Sequence, residues 1–230
     1  MKHFLKYFPF FLILAVSCKT DDFTPTDIGL DYFPLQKGFY QVYNVEEVIY
    51  SEVAGTKNLA YQIRVEVTDS FPNTEGGYTY VLSRGKRVSE SASWQALDTW
   101  SARNNDDREL IVSEGNTPFV KLTFPARKGS GWNGNKFNDL EQDEYEVLNA
   151  DQPFTAGGMT FEKTLTVGEE NNEDLIVFQD LRQEIYARGV GLVYREVLQL
   201  NYCTKDNCRG QQKITNGTIF KQTIIEYGAQ

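Results

Sequence analysis

Carboxylates are the most abundant reactive groups in this sequence: 32 Asp and Glu among 230 residues, against 23 Lys and Arg and a single histidine. A pair of carboxylates held roughly 5–9.5 Å apart can hydrolyse a glycosidic bond, so a carboxylate-based hydrolase is one chemistry to consider. Asp139, Glu141, Asp143, Glu144 and Glu146 are hard oxygen donors that could bind Ca²⁺. The stretch lacks the glycine of an EF-hand loop and reads as a solvated strand entry. Glu169, Glu170, Glu173 and Asp174, with Asn171 and Asn172 between them, read as an exposed hairpin turn. Asn104 to Asp107 reads as a tight turn. Trp94, Trp100 and Trp132 could stack on sugar rings or pack into a core. Gly129-Ser130-Gly131 lacks the Lys-Ser/Thr of a phosphate loop. No catalytic residue, metal site or cofactor site is assigned.

The first eighteen residues narrow the chemistry further. Lys2 and Lys6 precede an apolar run, Tyr7 to Val16, which is too short for a retained membrane helix. Val16-Ser17-Cys18 follows, and the whole is a secretory signal. It resembles a bacterial lipoprotein signal, which implies cleavage after residue 17 and lipidation of Cys18, with palmitate among the acyl chains. The alternative is an ordinary signal peptide with a chance cysteine. Asp21 and Asp22 resemble the acidic tag that sends some Bacteroidetes lipoproteins to the outer face of the outer membrane. They also read as part of a solvated tether. Losing residues 1–17 removes Lys2 and Lys6, which takes the net charge from −9 to −11. It also removes His3, the only histidine. That excludes Ser-His-Asp and Cys-His nucleophiles and any zinc site built on histidine. The acidic balance argues against nucleic acid, which needs basic patches.

Beyond Cys18 only Cys203 and Cys208 remain, separated by Thr204-Lys205-Asp206-Asn207. An even pair in an exported chain, spaced by turn-like residues, suggests a structural disulfide. The spacing is not that of a CxxC redox centre.

The elements that must position these groups read as strands. Aromatics make up 13% of the chain, with 13 Tyr and 15 Phe, and such residues favour strands. Tyr61, Ile63, Val65 and Val67 alternate with Gln62, Arg64, Glu66 and Thr68, the period of a half-buried strand. Extended runs recur at 39–50, 78–83, 94–100, 110–112, 119–124, 144–148, 159–167 and 185–202, and 214–227 closes the chain. Leu175 to Phe178 reads as a buried strand. One helix could form over Asp174 to Ala187, where Phe178, Leu181 and Ile185 fit helical spacing. The expectation is an all-β domain with at most one or two helices, a curved antiparallel sheet or open half-barrel. Its parts are a signal at 1–17, a lipid-anchored tether at 18–30 and one β-rich domain at 31–230. Phe33-Pro34-Leu35-Gln36-Lys37-Gly38 recurs as Phe124-Pro125-Ala126-Arg127-Lys128-Gly129, an echo that could mark two related β-units.

Tyr32-Phe33-Pro34-Leu35-Gln36-Lys37-Gly38-Phe39-Tyr40 resembles the YxPLxxGxxW/Y opening of a family of uncharacterised Bacteroidetes envelope lipoproteins. Tyr186-Ala187-Arg188-Gly189-Val190-Gly191-Leu192-Val193 resembles their YAxGVGLV segment. The resemblance implies an outer-membrane lipoprotein, facing the periplasm or the cell surface. It also suggests an open β fold similar to the LolA-like cradle for acyl chains, and it implies no site residues. Three function classes follow. The first is an interaction or accessory subunit at the outer membrane, with an envelope protein as partner. The second is a binding protein for an apolar ligand or acyl chain in a concave sheet. The third is the carboxylate-based hydrolase, which the lack of any catalytic motif leaves last. In each, the membrane is engaged through lipidated Cys18.

Overall fold

The structure, a computed structural model, describes residues 27–74 and 76–230. Cys18, the signal and most of the tether lie outside these residues. Twelve strands form one antiparallel sheet: β1 (Phe39–Ser51), β2 (Gly55–Pro72), β3 (Tyr78–Arg87), β4 (Gln95–Asn105), β5 (Glu109–Glu114), β6 (Thr117–Thr123), β7 (Gly131–Asn133), β8 (Glu144–Ala156), β9 (Met159–Asp174), β10 (Phe178–Ala187), β11 (Gly191–Tyr202) and β12 (Ile214–Ala229). The only helical turn among the described residues is a 3-10 turn, Leu30–Tyr32.

The strand order is β6-β5-β4-β3-β2-β1-β12-β11-β10-β9-β8-β7. Apart from β6 and β7, every strand therefore pairs with its sequence neighbours, and β1 joins β12 from Phe39↔Ala229 to Tyr50↔Gly217 with one bulge at Val42/Tyr43. The free edges, β6 and β7, curl round to meet. The Val120 N–H donates to the Gly134 carbonyl at 2.9 Å, Trp132 Nε1 donates to the Val120 carbonyl at 2.8 Å, and Asn138 Nδ2 donates to the Pro118 carbonyl at 2.8 Å. The sheet is thus a nearly closed up-and-down barrel, and its seam is tied partly by side chains. Satisfying these edge carbonyls also blunts an edge that would otherwise invite strand pairing.

Residues 27–38 cross one end of the barrel, the plugged end, where Phe33 and Tyr32 join the main core. That core holds Leu110, Val120, Leu122, Leu165 and Val167, all fully buried. On β1, Tyr43 and Val45 are 1% exposed while Asn44 and Glu46, which alternate with them, face solvent. Apolar side chains inward and polar ones outward is the reverse of a lipid-facing barrel, which carries an outward apolar band. No helix among the described residues is long and apolar enough to cross a membrane. A second core, with Ala156, Phe161, Ile185, Val193 and Ile224, joins the β8–β9 hairpin to β10–β12. The hairpin tip fits because Gly157, at φ +57°, lies against the Ile224 carbonyl, where a Cβ would come within 1.8 Å.

Three expectations are corrected. The segment Asp174 to Ala187 is not a helix: Phe178–Ala187 is strand β10. Its apolar residues serve both cores, Ile185 in the second and Tyr186 in the main one, and two-sided burial hides the period of two. Leu175 to Phe178 is not a buried strand. Leu175, Ile176 and Val177 form the exposed β9–β10 turn, closed by the Val177 N–H donating to the Asp174 carbonyl. Glu169 to Asp174 is not an exposed turn but the end of β9, and Glu169 is 3% exposed.

The echoed motifs occupy equivalent places. Gly38 precedes β1 and Gly129 precedes β7. Each donates its N–H at 2.8 Å to the second strand that follows it, Gly38 to the Val67 carbonyl and Gly129 to the Val147 carbonyl. The Phe39 N–H donates to the Gln36 carbonyl, and the Ser130 N–H donates to the matching Arg127 carbonyl, both at 3.0 Å. The barrel is two runs of six strands, each opened by the same turn.

Candidate functional site

Two β-bulges place opposite charges inside the barrel. On β6 the register jumps from Leu110↔Leu122 to Ile111↔Val120, so Lys121 is the extra, unpaired residue. On β9 it jumps from Arg182↔Glu170 to Gln183↔Gly168, so Glu169 is the extra residue there. A bulge adds one residue to a strand and re-aims its side chain. Lys121 Nζ meets Glu169 Oε1 at 2.6 Å and Glu184 Oε1, from β10, at 2.8 Å. Glu114, from β5, lies 3.7 Å from the same ammonium. Arg195, from β11, reaches Glu114 at 3.6 Å and Glu184 at 3.4 Å. The buried Tyr186 hydroxyl donates to the second Glu184 oxygen.

Burial alone would lower the Lys121 pKa, but Glu169, Glu184 and Glu114 together raise it above the usual lysine range. Burial raises the Glu169 carboxyl, and the neighbouring Glu184 adds to the rise. Burial also acts upward on Glu184, yet Lys121 and Arg195 outweigh it and hold that carboxyl below its ordinary value. Lys121 and Glu184 are therefore a fixed ion pair, and Glu169 is the carboxylate most ready to take a proton.

Beside the cluster lies a cavity of about 50 Å³ whose walls include Phe33, Tyr43, Leu82, Trp100, Arg84 and Arg195. That is room for a few waters. Arg84 stacks over the Trp100 ring at 3.7 Å and pairs with Asp98 at 2.7 Å, leaving its buried Nε without a partner.

The remaining sequence-level candidates are scattered. Trp132 is buried in the seam, and Trp94 lies under Arg87, 4.3 Å from ring centroid to guanidinium. Asp143 pairs with Arg182 at 2.7 Å. Glu144 and Glu146 lie on β8, and Asp106 and Asp107 form the β4–β5 turn at φ 50° and 53°. No group of three metal-ligating side chains occurs among the described residues. Cys203 and Cys208 are bonded to each other in the β11–β12 connection, at the end opposite the plug, with Cα atoms 5.8 Å apart. The interior cluster itself went unrecognised in the sequence. Its signals were a lysine inside the apolar run Phe119-Val120-Lys121-Leu122 and a glutamate continuing the inward series Leu165, Val167, Glu169.

Fold and cluster together define a class: a single-sheet, up-and-down barrel braced internally by ion pairs. No protein family matches the chain, and no curated protein matches it. It superposes on an exported protein with a YmcC-like fold from Bacteroides fragilis NCTC 9343 at a TM-score of 0.49 and 12% identity, covering 85% of this chain and 98% of the other. It superposes on a protein described as a lipoprotein from Parabacteroides distasonis ATCC 8503 at a TM-score of 0.44 and 11% identity, covering 86% and 98%. At these values neither likeness assigns this chain a family or a function.

Proposed function

We propose that the protein is a lipid-anchored component of the bacterial envelope, held at the outer membrane through Cys18, that acts as an interaction or accessory subunit rather than as an acyl-chain carrier or an enzyme. The observation that carries this reading is the filled interior. Ligand pockets commonly measure about 300–1,000 Å³, whereas the cavity inside the barrel beside the cluster is about 50 Å³; a hollow of about 610 Å³, beside Phe154, Thr166, Ile185 and Tyr194, lies on the outer face of the sheet instead. The interior carboxylates Glu169 and Glu184 are committed to Lys121 and fully buried, which supports a structural over a hydrolytic role. The lipoprotein-like signal supports the anchor.

Native mass spectrometry of residues 19–230, purified gently from their own envelope, tests the reading. A bare mass is expected, and a lipid-sized adduct overturns it in favour of a carrier. Cys18→Ser is expected to move the protein from the membrane to the soluble fraction, and unchanged partition rules out the anchor.

A further inference from the structure

The plugged end carries a feature that the barrel wall does not need. β2 and β3 run on past their neighbours: β1 pairs with β2 only as far as Glu66, and β4 pairs with β3 only from Tyr80 onward. Beyond those points Phe71 and Pro72 pair with Thr79 and Tyr78 alone. The result is a two-stranded finger. Phe71 and Tyr78, on opposite faces of it, are 51% and 53% exposed.

The chain enters at this same end. Asp27 is held there by Arg188 at 2.8 Å, and the Ile28 carbonyl accepts from the Ala126 N–H. Between Cys18 and Asp27 stand only residues 19–26, a link that spans at most roughly 30 Å. By contrast, β2 runs from Gly55 to Pro72, roughly 55–60 Å along the strand. An anchor at Cys18 therefore holds the plugged end near the bilayer in every orientation. A short leash also supplies a high effective concentration, so a weak contact suffices.

We infer that the plugged end rests on a phospholipid bilayer, with Phe71 and Tyr78 of the β2–β3 finger at the boundary between headgroups and acyl chains. This deepens, and rests on, the lipid-anchored reading above. Aromatic rings favour that boundary because an apolar body meets a wet surface there. Charge is not the driver. The mature chain is acidic, and at this end Lys37 is paired with Asp69 and Arg188 with Asp27 and Asp31. The contact therefore forms on zwitterionic lipid.

Amide hydrogen exchange on the full-length, native protein in phosphatidylcholine vesicles, compared with Cys18→Ser protein free in buffer, tests this. The amides of Ser70, Phe71, Tyr78 and Thr79 are expected to exchange about tenfold more slowly on vesicles, while those of Leu175, Ile176 and Val177 at the far end stay unchanged. Phe71→Ser with Tyr78→Ser is expected to abolish the slowing and leave the Tm unchanged. Equal exchange in both states, or slowing at Leu175 to Val177 instead, overturns the inference. The intact mass separates the two failures. A native chain without acyl groups sinks both the anchor and the contact, whereas an acylated chain with no slowing sinks the contact alone.

Discussion

Lys121 is the residue on which the interior turns, because two buried glutamates share its ammonium. Removing one partner of a buried ionic group is far costlier than replacing the whole group with apolar residues. Lys121→Met should therefore lower stability by about 3–5 kcal/mol, measured by urea unfolding. Adding Glu169→Gln to Lys121→Met should recover part of the loss, since it removes one of the two stranded charges. A loss below about 1 kcal/mol for the single variant would show that water already screens the cluster.

The buried tyrosines add a pH dependence of defined sign. Burial raises the phenols of Tyr43, Tyr145 and Tyr186 above the ordinary value near 10, and it raises Tyr61 to about 12, with Glu47 adding to the rise. The folded state then keeps protons that the unfolded chain releases. This contribution is complete below pH 10 and is lost as pH climbs toward the folded values. Tyrosinate absorbance should show the phenols of Tyr43, Tyr145 and Tyr186 ionising only above the ordinary tyrosine range, as the barrel unfolds. A single step near pH 10 with unchanged circular dichroism would contradict it.

Among the elements, the β8–β9 hairpin depends most on one backbone position. Gly157→Ala puts a side chain where φ is +57° and the Ile224 carbonyl already stands. The left-handed conformation alone costs roughly 1–2 kcal/mol, and the collision adds to it. The variant should unfold at lower denaturant and be nicked faster by protease at residues 157–158. Unchanged stability and cleavage would mean the hairpin does not need that contact.

The same scale shows what could be read from sequence. β2 was legible because one of its faces meets the core and the other meets water, which writes a period of two into Tyr61 to Thr68. β10 was not, because Ile185 and Tyr186 are buried on opposite sides. A bulge hid the site as well. At Lys121 one inserted residue changes which side chains point inward, whereas Glu169 keeps the alternation of Leu165 and Val167 and shows locally only as a charge on a buried face. Only the partner glutamates, distant in sequence, explain a lysine within an apolar run.

For the whole molecule, closure rests on unequal joints. β1 and β12 share a long ladder, whereas the β6/β7 seam depends on a few bonds, one of them from the Trp132 indole. Trp132→Phe keeps the ring and removes the donor, leaving the Val120 carbonyl unpaired at a cost of about 1–3 kcal/mol. Hydrogen exchange at Val120 should then speed up while amides along β1 hold their rates. Equal acceleration everywhere would mean that the seam does not open locally. The echo between residues 33–38 and 124–129 was visible in sequence as a repeated turn. Its meaning, two six-strand runs joined twice, needed the register.

The plug also determines how the barrel would carry a mechanical load. Tension from a membrane anchor enters at Asp27 and reaches β1 at Phe39, its plugged-end terminus. If a partner pulls at the far end, the force runs along β1 and stretches its ladders to β2 and β12 in shear. The hydrogen bonds from Phe39 to Ser51 then bear the load together instead of parting one after another. The arrangement is that of a lap joint, strong along the line from the plugged end to the far end and weaker to a sideways peel at the seam.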